Sequence, residues 1–138
     1  MQKDGVVSKV LIVDDDEGIV IMLERLLKSA GYDVQAATNG KEAALVYAQY
    51  HPDLVVTDLI MPDGEGLQLI MSLRRQDKEV KIIAMTGGGR GGTGNYLFMA
   101  RELGADYTIE KPFLAEKLLS IVRLAIESDS TSPSMAIG

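Results

Sequence analysis

Five short apolar runs, each separated from the next by a segment of helical period, restrict this chain to very few architectures. The runs are Lys9–Val13, Asp33–Ala37, Leu54–Thr57, Lys81–Met85 and Tyr107–Glu110. Several are almost wholly apolar, which suits strands buried on both faces rather than strands with one wet side. Strands alternating with helices place helices on both faces of a parallel sheet, giving an α/β doubly wound sandwich. Ile19, Leu23, Leu26, Leu27 and Ala30 recur at helical spacing, and Gly31 supplies a stop. Lys41–Tyr50 and Gly66–Gln76 read as the second and third helices. A short fourth falls near Tyr96–Leu103, stopped by Gly104, and Leu114–Ser128 carries Leu118, Ile121, Val122 and Ala125 on one face. Residues 1–128 read as one domain. From Asp129 the composition turns to Ser, Thr, Pro and Gly, so residues 129–138 read as a disordered tail.

Charge and composition remove several classes of function. A net charge of −6 lacks the basic stripe that direct nucleic-acid binding needs. No apolar run approaches a membrane span and no signal-peptide pattern opens the chain, so a cytoplasmic protein without membrane insertion is expected. The absence of cysteine excludes disulfides and thiolate metal sites. His51, the only histidine, reads as a solvated connection residue, and the seven methionines read as core filler.

The chemistry gathers where the apolar runs end. Asp14 and Asp15 follow the first run, Asp58 the third, Thr86 the fourth and Lys111 the fifth. In an open parallel sheet the carboxyl ends of the strands border one crevice. Carboxylates brought together there either share a proton or hold a divalent cation. A carboxylate can attack phosphorus while a cation, an ammonium and a hydroxyl neutralise the phosphoryl oxygens. Asp16 and Glu17 fit a plainer task, capping the N-terminus of the first helix.

With these residues assembled, positions 8–126 resemble the receiver domain of two-component response regulators. The resemblance rests on Val10–Asp15, Asp58-Leu59-Ile60-Met61-Pro62, Gly64–Gly66, the strand end at Thr86, Gly104-Ala105-Asp106 and Lys111-Pro112-Phe113. It implies a flavodoxin-like fold of five strands in the order 2-1-3-4-5 with five helices. It further implies a stand-alone phosphorelay protein, not an enzyme acting on an external substrate. Asp58 would accept a phosphoryl group from a histidine kinase or histidine phosphotransfer protein. Asp15 would be a direct Mg²⁺ ligand, Asp14 would act largely through water, and Asp58 and the Ile60 carbonyl would complete the set. Thr86 and Lys111 would engage the phosphoryl group, and the Lys111–Pro112 bond would be cis. Output would be altered binding of a protein partner through the fourth helix, fifth strand and fifth helix.

Two features depart from the family pattern. The stretch between Thr86 and Lys111 is longer than usual, with six glycines among the eight residues from Gly87 to Gly94. That loop is costly to order, and ordering on phosphorylation or partner binding is the expectation. The aromatic residue often found three positions before the lysine is replaced by Thr108, and Tyr107 lies on the opposite face of the strand.

Other readings of the same residues are weaker. Matches to G-x-G-x-x-G among these glycines are nearly automatic, and the first strand–helix turn carries aspartates that would repel a pyrophosphate. Asp14 and Asp16 make the D-x-D of a haloacid-dehalogenase-type phosphatase. Gly18 then stands where that family has Thr or Val, no acidic pair follows Lys111, and Asp58 has no task. A receiver-like interaction module that is never phosphorylated is the third alternative.

Overall fold

In the computed structural model, which describes residues 7–61, 65–87 and 93–128, five parallel strands lie in the order β2-β1-β3-β4-β5. They are β1 (Lys9–Val13), β2 (Asp33–Ala37), β3 (Leu54–Asp58), β4 (Lys81–Gly87) and β5 (Tyr107–Lys111). The helices between and after them are α1 (Glu17–Ser29), α2 (Gly40–Tyr50), α3 (Glu65–Gln76), α4 (Thr93–Leu103) and α5 (Ala115–Glu127). This is the doubly wound order expected, with the crevice at the carboxyl ends of β1 and β3, where the winding reverses.

Strand alternation divides the core into two layers. Val10, Ile12, Leu54, Val56, Ile83, Met85 and Ile109 pack against Val20, Leu23 and Leu27 of α1 and Leu118, Val122 and Ala125 of α5. Leu11, Val13, Val55, Ile82 and Ala84 face Ala43 and Tyr47 of α2, Leu69, Ile70 and Leu73 of α3, and Ala100 of α4. β1 and β3 are apolar on both faces because both faces are covered. Asp16 N-caps α1 by accepting hydrogen bonds from the Gly18 and Ile19 N–H groups. Asn39 caps α2 through the Glu42 N–H.

The boundaries differ from the sequence reading at informative places. β3 extends through Asp58 and β4 through Thr86 and Gly87, because the ladder continues after the apolar pattern stops. Asp58 pairs with Met85, and Gly87 with Lys111. α4 begins at Thr93, earlier than Tyr96. His51 is exposed, as expected, and also ends α2 in the left-handed region at φ 54°. The methionines are not uniformly core filler: Met61 and Met85 are buried, whereas Met22, Met71 and Met99 are exposed. Residues 88–92 of the glycine loop, Pro62–Gly64 and the tail from residue 129 lie outside the described residues.

A second polar assembly holds the opposite edge of the sheet from the crevice. The Arg74 guanidinium, near the end of α3, donates to the carbonyls of Gly104, Asp77 and Val80 and to Asp106 Oδ2, the last at 2.7 Å. Asp106 Oδ2 also accepts from the Ile82 N–H at 2.9 Å. Tyr47 donates to Asp77 Oδ2 at 2.5 Å. Burial works to raise the Asp77 carboxyl, but that bond and the N–H groups of Glu79 and Val80 hold it below its ordinary range. α2, α3, α4, β4 and β5 are thereby joined at one end.

Candidate functional site

Asp14 is the first residue past β1, its N–H donating to the Ala37 carbonyl of β2 at 3.2 Å. Its side chain is fully buried, with Oδ1 accepting from the Asp16 N–H at 2.9 Å and Oδ2 2.8 Å from Lys111 Nζ. Asp15 is exposed at the crevice rim. Asp58, the last residue of β3, is 4% exposed. Its backbone is fixed by neighbours: Thr57 Oγ1 donates to the Asp58 carbonyl at 3.0 Å, and the Leu59 N–H donates to Met85 at 2.8 Å.

Asp14, Asp15 and Asp58 each offer a carboxylate oxygen, and these oxygens all lie within 4.8 Å of one another. Lys111 Nζ is 3.4 Å from Asp58 Oδ1, so one ammonium touches two of the three acids. Burial raises the Asp58 carboxyl to about 6; Lys111 opposes the rise, and the charges of Asp14 and Asp15 add to it. For Lys111 burial acts against the charge. The hydrogen bond to Asp14 and the charge of Asp58 outweigh it and hold the ammonium above the usual lysine value.

The oxygens are spaced as a small dication requires with modest adjustment, since Mg²⁺–O bonds of about 2.1 Å put opposite ligands about 4.2 Å apart. Three carboxylates and one ammonium also leave a local excess of negative charge that a cation would relieve. The donor set is all oxygen, the type that hard divalent ions take.

Thr86 is buried on β4, one position beyond the partner of Asp58 in the ladder. Ile60 lies two residues past Asp58, its side chain about half exposed. The Lys111–Pro112 bond is cis. Tyr107 packs with the α1/α5 layer of the core, away from the Thr108 face. Asp16, by contrast, spends its carboxylate on capping α1 and is not one of the three clustered acids.

Two contributors were hidden from sequence reasoning. A Cβ on Gly66, in the first turn of α3, would lie 2.4 Å from the Asp58 carbonyl oxygen and 2.6 Å from Leu59 Cα. The glycine lets α3 start directly against the backbone that carries Asp58. Gly64–Gly66 stood out as a motif, but this close approach had no sequence signal. The second is a cavity of about 430 Å³ bounded by Ile19 and Met22 of α1, Gly87, and Lys111, Pro112 and Phe113.

Comparison with known proteins agrees with this fold. A family model described as response regulator receiver domain matches residues 10–123. The transcriptional regulatory protein PrrA of Mycobacterium tuberculosis is 33% identical over 137 residues, covering 96% of this chain and 58% of that protein. The alkaline phosphatase synthesis transcriptional regulatory protein PhoP of Bacillus subtilis is 33% identical over 128 residues, 92% of this chain and 52% of that protein. The chain therefore spans about half the length of these curated relatives. Among solved structures, a CheY-like receiver domain protein from Methanospirillum hungatei superposes with a TM-score of 0.81 at 26% identity, over 88% of this chain and 95% of that one. The chemotaxis response regulator CheY4 of Vibrio cholerae superposes with a TM-score of 0.77 at 28% identity, over 87% of this chain and 99% of that one.

Proposed function

Since this chain belongs to the response-regulator receiver family of two-component signalling, we propose that it accepts a phosphoryl group on Asp58 and thereby switches protein binding. Domains of this family interact with histidine kinases or phosphotransfer proteins, and they are signalling proteins rather than classical enzymes. The observation that carries the reading is the junction of three carboxylates and Lys111 at the ends of β1, β3 and β5.

Receiver domains bind Mg²⁺ at an acidic pocket, and here Asp14, Asp15 and Asp58, with the Ile60 carbonyl, are the groups that would hold it. When bound, the cation supplies charge neutralisation for the phosphoryl oxygens. The protein's own groups do the rest. Asp58 attacks phosphorus as a carboxylate, the form that prevails at pH values above about 6. Lys111, already 3.4 Å from Asp58, pairs with a phosphoryl oxygen, and Thr86 donates its hydroxyl to another. Asp14 keeps Lys111 in the crevice before the phosphoryl group arrives. Output runs through the α4–β5–α5 face; Phe98 and Met99 of α4 and Leu124 of α5 are exposed.

Against a D-x-D phosphatase stands the use of Asp16 as the cap of α1, and Asp58 again has no task in that chemistry. Among the described residues no helix is long and apolar enough to cross a membrane.

The test is intact-mass analysis after incubation with Mg²⁺ and acetyl phosphate, on the wild type and on Asp58→Asn. One phosphoryl adduct that requires Mg²⁺ and is lost in the variant is expected. No adduct at short times, with beryllofluoride binding also absent, would leave a receiver-shaped interaction module.

A further inference from the structure

Lys111 belongs to two places at once. Its ammonium lies 3.4 Å from Asp58 Oδ1, and the same residue bounds the cavity formed with Ile19, Met22, Gly87, Pro112 and Phe113. Apart from Lys111 and the small Gly87, that lining is apolar. Ile19 and Phe113 are partly buried against the α1/α5 core layer, so the wall is fixed, and Met22 on α1 is about half exposed at its edge. About 430 Å³ is within the range of small-molecule sites. A ligand suited to this lining carries an anion beside the lysine and a short apolar group beyond it.

We propose that this cavity holds the organic part of low-molecular-weight acyl phosphate donors and makes the chain select donors with a larger apolar acyl group. The inference rests on Asp58 being the phosphoacceptor. In the transfer, an Asp58 carboxylate oxygen forms a P–O bond while the P–O bond to the acyl oxygen breaks. The bonding pair leaves with the acyl carboxylate, and no proton changes hands. The phosphoryl oxygens lie at Lys111, and the acyl chain lies along Met22 and Phe113. Gly87 borders the same cavity, and a Cβ built there meets nothing within 4 Å, so the space beside it is open.

Acetyl, propionyl and butyryl phosphate differ only in methylenes remote from phosphorus, so their intrinsic reactivities are nearly equal and rate differences report binding. A fully buried methylene is worth about fourfold. The second-order rate of adduct formation, read by intact mass with Mg²⁺ present, should rise about fivefold or more from acetyl to butyryl phosphate. Met22→Ser and Phe113→Ser should each cut that ratio to below about twofold. Because the ratio is taken within each variant, changes in folding or overall reactivity cancel. Phosphoramidate, which has no acyl group, tests the acceptor separately. If it modifies Asp58 while the wild-type butyryl-to-acetyl ratio stays near one, the cavity assignment is wrong and the phosphoacceptor assignment stands. A high ratio untouched by both variants also overturns the assignment. Absence of any adduct from phosphoramidate removes both.

Discussion

Lys111 Nζ lies 2.8 Å from Asp14 Oδ2, which ties the end of β5 to the end of β1 across two intervening strands. Asp14 is fully buried, so its charge depends on this partner and on the Asp16 N–H. Breaking a buried ion pair by removing one member costs about 3–5 kcal/mol, and partial exposure of the lysine lessens that. Lys111→Met should lose about 2–3 kcal/mol in urea unfolding at pH 7.5 with chelator present. Its adduct formation from acetyl phosphate should fall at least tenfold. A loss under 1 kcal/mol would mean that Asp14 has another means of compensation.

The raised Asp58 pKa sets a pH dependence of defined sign. With the folded value at about 6 against an ordinary 3.8, this group favours folding fully below pH 3.8, and the contribution is lost as pH rises through 6. A tenfold difference in proton affinity between folded and unfolded chain is worth about 1.4 kcal/mol, so the ionised carboxylate costs on the order of 3 kcal/mol in metal-free protein at pH 7.5. Asp58→Asn should therefore be more stable than wild type by about 1–3 kcal/mol at pH 7.5, and the difference should shrink toward pH 4. Paired urea titrations in chelator at the two pH values check this. An equal difference at both would detach the effect from the Asp58 charge.

A cation held by the three acids should reverse that penalty. Ligand at a hundred times its Kd stabilises a fold by about 2.7 kcal/mol. Mg²⁺ should raise the Tm of the wild type at pH 7.5 and much less at pH 5, where Asp58 is largely protonated. Asp15→Asn should lose most of the rise. A Mg²⁺ response indifferent to both pH and Asp15 would point to nonspecific screening.

Gly66 is a steric requirement of the site. A methyl group there would press on the Asp58 carbonyl and Leu59 at 2.4–2.6 Å, against backbone that has no rotamer to change. Overpacking of this kind costs about 1–3 kcal/mol. Gly66→Ala should lower stability by that amount and also slow adduct formation, since relief requires moving the backbone that carries Asp58. Chemical denaturation and intact-mass kinetics on one preparation would separate the two losses. Unchanged kinetics would show that α3 yields and β3 does not.

Much of the fold was legible because the apolar runs are unbroken and strand and helix periods alternate cleanly; Lys9–Val13 and Asp33–Ala37 agree with the strands residue for residue. The sequence reading became short where polar side chains occupy a continuing ladder, at Asp58, Thr86 and Lys111. The acids and the lysine were recognisable by their positions at strand ends. Their pairing was not: that Lys111 would rest nearer Asp14 than Asp58 depends on burial. Arg74 in Arg74-Arg75 looks like any solvated helix arginine. Only the folded chain brings the carbonyls of Gly104, Asp77 and Val80 around it. The cavity joins α1 to the segment after β5, and no local pattern records that contact.

The Arg74 assembly gives β4 two mechanically different ends. Its root is clamped: Val80, just before the strand, accepts from Arg74, and the Ile82 N–H is held by Asp106. Its tip carries Thr86 and Gly87 beside the charged crevice. That tip stays in the ladder, with Met85 opposite Asp58 and Gly87 opposite Lys111, so it is held by the same two strands that carry the acid and the lysine. α4 follows the tip in sequence, and Gly104, just past its far end, is gripped by the same arginine. The C-terminal end of that helix is thus anchored by an arginine remote from the phosphoryl chemistry.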